Sequence, residues 1–363
     1  MWLLWCELIA VISIFCTSAA LAQGNPAGAA GEPGLSPGVQ AYESGQGSCC
    51  GASHAHGLYW MDPRVPTRAD LLCIHGLGLC AKGYEPFGKR MAQEGIATYA
   101  MDVRGFGPQS HAGKGDKLDL NETVADVRDV LETIHGRHPD RPIFLLGESM
   151  GGSIAIRTAA LYPESMSGLI CSAPAWRIYK QKRTALKGLL ALFLPRGHRV
   201  NLAAAGVIRQ ATNKSALRQH WLSDPDHRLN LSGREAFAFF RFTRRTPKNA
   251  GEISRTPVLI LQGLHDRLVK PSGVARLFNR LPVRDKELIL DISAEHLILE
   301  EGQFSNQVAN AVVSWIERVG SAGPGLQPSE RVVLLNASHE TDKEERTVRQ
   351  LLSAAGVGAA QRQ

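Results

Sequence analysis

A serine in the middle of the chain lies in a pattern that can make it a nucleophile. Gly147-Glu148-Ser149-Met150-Gly151 matches G-x-S-x-G, in which small residues permit a sharp turn that exposes the serine side chain. It follows the apolar run Ile143–Leu146 and precedes a helical pattern. Gly34–Gly38, around Ser36, also matches but lies in Gly/Pro-rich sequence without either flank. The context therefore favours Ser149 as the nucleophile.

A serine hydroxyl is weakly nucleophilic unless a base takes its proton and an acid holds that base in the right tautomer. His296, which follows the apolar run Leu288–Leu290, is the predicted base. Asp266 follows the strand pattern Val258–Leu261 through a short turn and is the preferred acid. Asp291, five residues before the base, remains its competitor. These residue types, in the order serine, acid, base, predict acyl transfer.

Acyl transfer develops a negative charge on the substrate oxygen, which two backbone N–H groups usually stabilise. One donor is expected from Met150, directly after the nucleophile. The other is expected from the turn His75-Gly76-Leu77-Gly78, which follows an early strand pattern, and Leu77 is the candidate. His75 is expected to brace this turn.

The elements that must position these residues alternate along the chain. Strand patterns followed by helical patterns indicate βαβ units. We therefore predict an α/β fold with a mostly parallel central sheet and helices on both faces. The strand patterns are Ala69–Ile74, Ala97–Met101, Ile143–Leu146, Leu169–Ser172 and Val258–Leu261, and the helical patterns cover 84–94, 122–134, 153–161 and 305–319.

The chain of 363 residues suits one such domain with an insertion and terminal extensions. Residues 1–22 are apolar and end in Ala20-Leu21-Ala22, which predicts a signal peptide and an exported protein; an uncleaved membrane anchor is the alternative. Residues 23–53 have linker composition, and 54–320 form the predicted domain. Residues 321–363 form a C-terminal extension expected to be mobile, with 332–335 as a strand or docking segment.

The predicted insertion, residues 176–250, has helical patterns and no convincing strand, and is interpreted as a helical cap. It contains 16 Lys or Arg and three acids, against a net charge of +7 for the whole chain. Together with the apolar run Ala185–Leu194, this favours docking on an anionic lipid surface. An evenly solvated surface and core packing of that run are the alternatives. Nucleic acid binding is not expected, because aromatic residues are sparse.

No cofactor and no metal site is expected. The chain shows no Gly-rich phosphate loop. Cys49 and Cys50 are followed by no ligand at a zinc-like interval in an ordered context. Five cysteines follow the export segment, and an odd number does not suit a disulfide scaffold. Cys73 and Cys171 lie in apolar runs and are expected to be buried.

Five ordered motifs resemble those of α/β-hydrolases, and within that fold the monoacylglycerol lipase and lysophospholipase-like, serine aminopeptidase-type group. The resemblance covers about residues 56–319 and implies the roles given above to Ser149, Asp266, His296, Leu77 and Met150. The chain departs from the group at Pro108-Gln109, before Ser110, and in both extensions, which leaves the substrate open. The motifs are His75–Gly78, Asp102–Gly107, Gly147–Gly152, Gly263–Asp266 and Glu295-His296.

The favoured function is hydrolysis of carboxylic esters through an acyl-Ser149 intermediate. Substrates with one acyl chain, such as monoacylglycerol or a lysophospholipid, are expected from the resemblance. A thioesterase, an acyltransferase or an aminopeptidase would use the same residues. A non-catalytic binding module on the hydrolase fold is the alternative outside enzymes.

Overall fold

The computed structural model describes residues 40–43, 57–108, 117–179, 199–321, 328–337 and 341–362. The export segment, Ser36, Cys49-Cys50, Ser110 and the apolar run Ala185–Leu194 lie outside these residues. No helix in the described ranges is long and apolar enough to cross a membrane.

Ten strands form one sheet in the order β1-β2-β4-β3-β5-β6-β9-β10-β11-β12. The pairs β1/β2 and β2/β4 are antiparallel, and all other neighbours are parallel. The predicted, mostly parallel α/β sheet is therefore confirmed. The strands are β1 Gln40–Glu43, β2 Gly57–Met61, β3 Ala69–Ile74, β4 Ile96–Met101, β5 Ile143–Glu148, β6 Gly168–Ser172, β9 Val258–Gly263, β10 Lys286–Asp291, β11 Glu330–Leu335 and β12 Gln361–Arg362.

Helices cover both faces of the sheet, as predicted. Alternate side chains of β3 show this, because Leu72 and Ile74 join one core while Leu71 and Cys73 join the other. Helices α2, α3, α8 and α10 pack in the first core, and α1 and α9 in the second. The helices are α1 Glu85–Gln93, α2 Leu120–Arg137, α3 Met150–Leu161, α4 Val207–Ala211, α5 Ser215–Ser223, α6 Gly233–Thr243, α7 Thr246–Ala250, α8 Pro271–Arg280, α9 Asn306–Gly320 and α10 Asp342–Ala355.

The cap differs from its all-helical prediction. Its described part, 199–250, contains α4–α7 and also a small antiparallel pair, β7 Arg199–Asn201 with β8 Asn230–Ser232. Strands of three residues are too short to show an alternating pattern, so they could not be predicted from the sequence. The Arg228 N–H donates to Gly78 O (3.0 Å), and Glu235 accepts from the Leu118 N–H (3.1 Å). Both contacts hold the cap on the body.

The sheet extends beyond both predicted domain boundaries. Strand β1 lies inside the predicted linker and pairs with β2. In the C-terminal extension β11 pairs with β10, and α10 packs beside α8. The strand expected at residues 332–335 is β11, and the described part of the extension packs on the domain, in contrast to the mobile tail that was expected. The physical reason is that β10 without β11 would leave a row of apolar residues and backbone hydrogen-bonding groups unpaired at an edge.

Candidate active site

Ser149 lies on a sharp turn between β5 and α3. Its backbone angles, φ 54° and ψ −109°, are strained for a residue with a side chain. The turn is possible because its neighbours are glycines: a Cβ on Gly151 would lie 2.0 Å from the carbonyl oxygen of Ile74, and one on Gly147 would lie 2.2 Å from that of Gly151. Strand, turn and helix thus present Ser149 at the carboxyl edge of the sheet.

The structure brings together the predicted nucleophile, base and acid. His296 Nε2 lies 2.9 Å from Ser149 Oγ, and His296 Nδ1 lies 2.8 Å from Asp266 Oδ2. All three side chains are buried. The other carboxylate oxygen, Asp266 Oδ1, accepts from the N–H groups of Leu268 and Val269, each at 2.8 Å. These two bonds fix the carboxylate, so that it holds the imidazole with Nε2 facing the serine.

Asp291, the competing acid, ends β10 but faces other groups. Its Oδ1 accepts from the Ser293 N–H and hydroxyl (2.8 Å each), the Ala294 N–H (3.1 Å) and Asn336 Nδ2 (3.0 Å). Within the ranges that the structure describes, none of its hydrogen bonds reaches His296. Asp291 therefore shapes the loop that carries the base, and Asp266 is the acid in contact with it.

The electrostatics of the site favour protonation of the base. Burial lowers the pKa of His296, but the charge of Asp266, its hydrogen bond and the charge of Glu148 outweigh burial and raise that pKa above its usual value. The imidazolium that forms when the serine loses its proton is therefore stabilised.

The candidate oxyanion donors flank the nucleophile. Met150 is the first residue of α3, and an N–H at a helix start has no intrahelical partner. The turn that carries Leu77 is braced by His75, as expected. His75 Nε2 accepts from the Val103 N–H (3.0 Å), so Nδ1 carries the proton and donates to Gly76 O (2.8 Å). Burial lowers the pKa of His75, which keeps it in this neutral form.

Two buried carboxyl groups that the sequence analysis did not single out adjoin the site. Glu148 precedes the nucleophile directly, and Glu300 follows the base by four residues. Glu300 Oε1 accepts from the Gly76 N–H at 2.7 Å. Each of these acids adjoins an apolar run, Ile143–Leu146 for Glu148 and Leu297–Leu299 for Glu300. This pattern could have indicated a buried carboxyl group, which needs a hydrogen-bonding partner.

An apolar cavity of about 420 Å³ lies between the body and the cap, and Ser149 and His296 line it. The candidate donor Leu77 lines it too. Among the described residues the only ionisable lining groups are His296 and Tyr179. The cavity therefore suits an uncharged, apolar chain beside the serine. The apolar lining includes Leu79, Trp176, Ile178, Val200, Leu202, Val207, Ile208, Trp221, Leu229, Leu231, Phe239, Phe240, Leu268 and Val269.

Within the described ranges, no three His, Cys, Asp or Glu side chains are arranged to hold a metal ion. The described cysteines, Cys73, Cys80 and Cys171, are buried and free.

The chain is similar in sequence to one protein family and to several lipases. The family model described as serine aminopeptidase, S33, matches residues 65–303. Monoglyceride lipase of Mus musculus is 28% identical over 282 residues, covering 74% of this chain and 89% of the lipase. Monoacylglycerol lipase of Mycolicibacterium smegmatis is 28% identical over 258 residues, covering 70% and 90%.

Solved structures give the same fold. A soluble variant of monoglyceride lipase from Saccharomyces cerevisiae superposes with a TM-score of 0.64 at 24% identity, covering 74% of this chain and 92% of that one. For the monoacylglycerol lipase of Paleococcus ferrophilus the TM-score is 0.61 at 25% identity, covering 73% and 99%. The α/β-hydrolase fold expected from the motifs is confirmed.

Proposed function

The chain belongs to the serine aminopeptidase S33 family, and from that membership we propose that it is a serine hydrolase cleaving esters of single-chain lipids, monoacylglycerol first among them. One observation carries the proposal: the hydrogen-bonded series Ser149–His296–Asp266 opens onto an uncharged apolar cavity. The relatives named as monoglyceride and monoacylglycerol lipases support this substrate class.

The geometry supports a two-step acyl transfer. His296 Nε2 takes the proton of Ser149 Oγ, which attacks the ester carbonyl carbon, and the resulting oxyanion accepts hydrogen bonds from the Leu77 and Met150 N–H groups. His296 then gives its proton to the departing glycerol oxygen, leaving an acyl-Ser149. A water, deprotonated by the same imidazole, attacks the acyl carbon; the fatty acid leaves and Ser149 regains its proton. Asp266 holds the tautomer throughout.

The lining of the cavity favours an ester over a peptide substrate. An aminopeptidase must bind a charged N-terminal amine, and a buried ammonium needs an anionic partner. In the described part of the cavity no aspartate or glutamate is present. A volume of about 420 Å³ lies within the roughly 300–1,000 Å³ typical of small-molecule sites, which suits one acyl chain. Lysophospholipids, which also carry one chain, are the second candidate substrates.

The test is hydrolysis by the purified protein of 1-monoacylglycerols of graded chain length, with diacylglycerol, lysophosphatidylcholine and leucine p-nitroanilide in parallel. We expect monoacylglycerol to give the highest kcat/KM and the anilide to give none. Ser149→Ala is the matched control. A wild-type protein that neither hydrolyses these esters nor reacts with a fluorophosphonate probe would instead be a binding module on the hydrolase fold.

We further propose that the cap docks on anionic lipid surfaces. The described part of the cap carries exposed basic side chains on α6, on α7 and in the two residues between them: Arg234, Arg241, Arg244, Arg245 and Lys248. Each such charge near an anionic surface contributes about 1 kcal/mol and is screened by salt.

Co-sedimentation with phosphatidylglycerol and phosphatidylcholine vesicles at low and high salt tests this docking. We expect salt-sensitive binding to the anionic vesicles only. The double variant Arg241→Glu/Arg245→Glu should weaken binding, while Arg284→Glu, an exposed arginine outside the cap, should not. Equal binding to both lipids, or none, would contradict docking by charge.

We also propose that the protein is exported, on the composition of residues 1–22 alone. Fusion of residues 1–40 to a reporter enzyme that is active only outside the cytoplasm tests this. The sequence of the mature N-terminus distinguishes cleavage after Ala22 from an anchor. An inactive reporter would contradict export.

A further inference from the structure

Glu148 is buried among hydrogen-bond donors from the loop that carries the base. Its Oε1 accepts from the Ile298 N–H (2.8 Å) and from the Ser172 hydroxyl, and its Oε2 accepts from the Glu300 N–H (2.9 Å). The Leu299 N–H contacts both oxygens, at 3.2 and 3.3 Å. A carboxyl that accepts at both oxygens has no place for its own proton, so this arrangement is that of an ionised carboxylate. Glu148 thereby holds the three residues that follow the base by two, three and four positions.

Glu300, at the end of that loop, makes the opposite kind of contact. Its Oε1 accepts from the Gly76 N–H, one residue before the candidate oxyanion donor Leu77. Its Oε2 is buried, and no described group donates a hydrogen bond to it. The Tyr84 hydroxyl faces this carboxyl and lowers its pKa, but its hydrogen bond goes to Ile74 O (3.1 Å). One oxygen with a donor and one without is the arrangement of a protonated carboxylic acid.

The charges around Glu300 agree with this assignment. Burial and the negative charge of Glu148 both raise the pKa of Glu300 well above its ordinary value, and Glu301 acts in the same direction. Tyr84 and Cys73, the other titratable groups facing it, supply no positive charge. Burial raises the pKa of Glu148 too, but the Ser172 hydroxyl, the N–H groups of Glu300 and Ile298 and the charge of His296 act against that rise. When neighbouring carboxyls share a buried site, the proton stays on the one with fewer donors.

We propose that Glu148 and Glu300 are a pair of positioning residues, one ionised and one protonated, that fix the oxyanion turn and the base loop to the nucleophile. Glu148 adjoins Ser149 and accepts hydrogen bonds from the loop after His296. Glu300 ends that loop and accepts a hydrogen bond from Gly76. Neither touches substrate, so their effect is on where the Leu77 N–H and the imidazole stand relative to the serine. The proposal rests on the ester hydrolysis proposed above.

The two carboxyls are distinguished by their amide variants. In Glu300→Gln the amide oxygen still accepts from the Gly76 N–H, and we expect kcat to stay within about twofold. In Glu300→Leu the turn loses its acceptor; since a lost oxyanion donor costs about 10²–10³ in rate, we expect kcat to fall about 10- to 100-fold with KM nearly unchanged. In Glu148→Gln an amide NH₂ would face backbone N–H groups, and we expect at least a tenfold loss. The control is Glu287→Gln, because Glu287 is a buried glutamate near the start of β10.

The pH profile of kcat supplies a readout that packing alone would not move. Protonated Glu300 is the active form, so wild-type activity is present below its raised pKa and lost as pH rises through it. Glu300→Gln cannot ionise and should lack this alkaline limb. A loss in Glu300→Gln as large as in Glu300→Leu, retained activity in Glu148→Gln, or the same alkaline limb in wild type and Glu300→Gln would each overturn the proposal.

Thermal unfolding tests the pair without any activity. When folding raises the pKa of a carboxyl group, the folded state loses stability as the pH rises above the pKa of that carboxyl in the unfolded chain. Glu300→Gln should therefore gain melting temperature over wild type between pH 5 and pH 9, and Glu148→Gln should lose it throughout. A difference between Glu300→Gln and wild type that does not grow with pH would overturn the proton assignment. If the wild type hydrolysed no ester, the proposed function would fail while this measurement still decided the pair.

Discussion

The backbone of Ser149, the proposed nucleophile, is strained. Ser149 has a positive φ of 54°, a region that a residue with a Cβ avoids at a cost of about 1–3 kcal/mol. We expect Ser149→Ala to lower kcat by about 10⁴ and to keep the strain. Ser149→Gly should be equally inactive but about 1 kcal/mol more stable than the alanine variant, after subtracting the chain entropy of glycine. Urea unfolding measures the difference; near-normal turnover by Ser149→Ala would show that another nucleophile acts.

The two candidate acids separate by their contacts. Asp266 bonds to His296, whereas Asp291 bonds to its own loop and to Asn336. Asp266→Asn should therefore lower kcat about 10⁴-fold, because the amide stabilises neither the tautomer nor the imidazolium. Asp291→Asn should cost less than tenfold. Steady-state kinetics of the two variants decide, and the opposite ranking would assign the role to Asp291.

The base also sets the acid limb of the pH profile. The free imidazole must be neutral to accept the proton of Ser149, and the contact with Asp266 raises the pKa of His296 above the ordinary 6.5. We expect kcat/KM of the wild type to fall as pH drops through a midpoint above 6.5. His75 should add nothing, because its pKa is lowered. A midpoint below 6.5 would contradict the effect of Asp266.

At this scale the sequence predicted the three residues that the structure brings into contact, because their order along the chain is visible. Ser149, Asp266 and His296 stand in the expected order, each directly after a strand pattern or its turn. Glu148 and Glu300 were not found, because their importance lies in a contact across 152 positions of the chain. A carboxyl beside an apolar run looks the same in sequence whether it is exposed or buried.

Among the elements, the turn between β5 and α3 leaves no room for a larger residue at Gly151. A Cβ on Gly151 would meet the backbone of Ile74, at the end of β3, so Gly151→Ala must push apart the nucleophile turn and the oxyanion turn. We expect it to abolish activity and to destabilise the fold. Gly136→Ala, in the exposed last turn of α2 with no atom within 4 Å of the new Cβ, should stabilise by about 0.5–1 kcal/mol. Unfolding and kinetics of both variants test this, and an active Gly151→Ala would contradict the close approach.

Elements were predictable where they are buried on both faces. Strands β3, β5, β6 and β9 are nearly continuous apolar runs, which is typical of central parallel strands. Strand β10 begins with Lys286-Glu287 and ends with Asp291, so its apolar part looked too short. Helix α3 begins at Met150, three residues before its predicted start. The prediction began too late because two consecutive glycines, Gly151-Gly152, are more typical of a turn than of a helix.

For the whole molecule, the C-terminal extension completes the sheet. Strand β11 pairs with β10 along six residues, and His265, the neighbour of the acid, contacts Glu344 of α10 (Nε2–Oε1 3.0 Å). A chain ending at Ser321 should unfold more easily, aggregate through the exposed edge of β10, and lose kcat. A chain ending at Val357, which lacks only β12, should behave as wild type. Light scattering and kinetics check this; full activity of the shorter chain would show that the extension is dispensable.

The position of β11 in the chain also affects the order in which the sheet can form during translation. The ribosome releases the chain from its N-terminus, so β10 emerges well before the strand that will cover it. Until residues 330–335 follow, the strand that leads to the base has an open flank, and nascent chains in that state are prone to associate with one another. The loop holding His296 acquires its final surroundings only after residues 330–335 have been made. A frameshift or premature stop between residues 321 and 330 would therefore disrupt the active site, although every residue of that site had already been made.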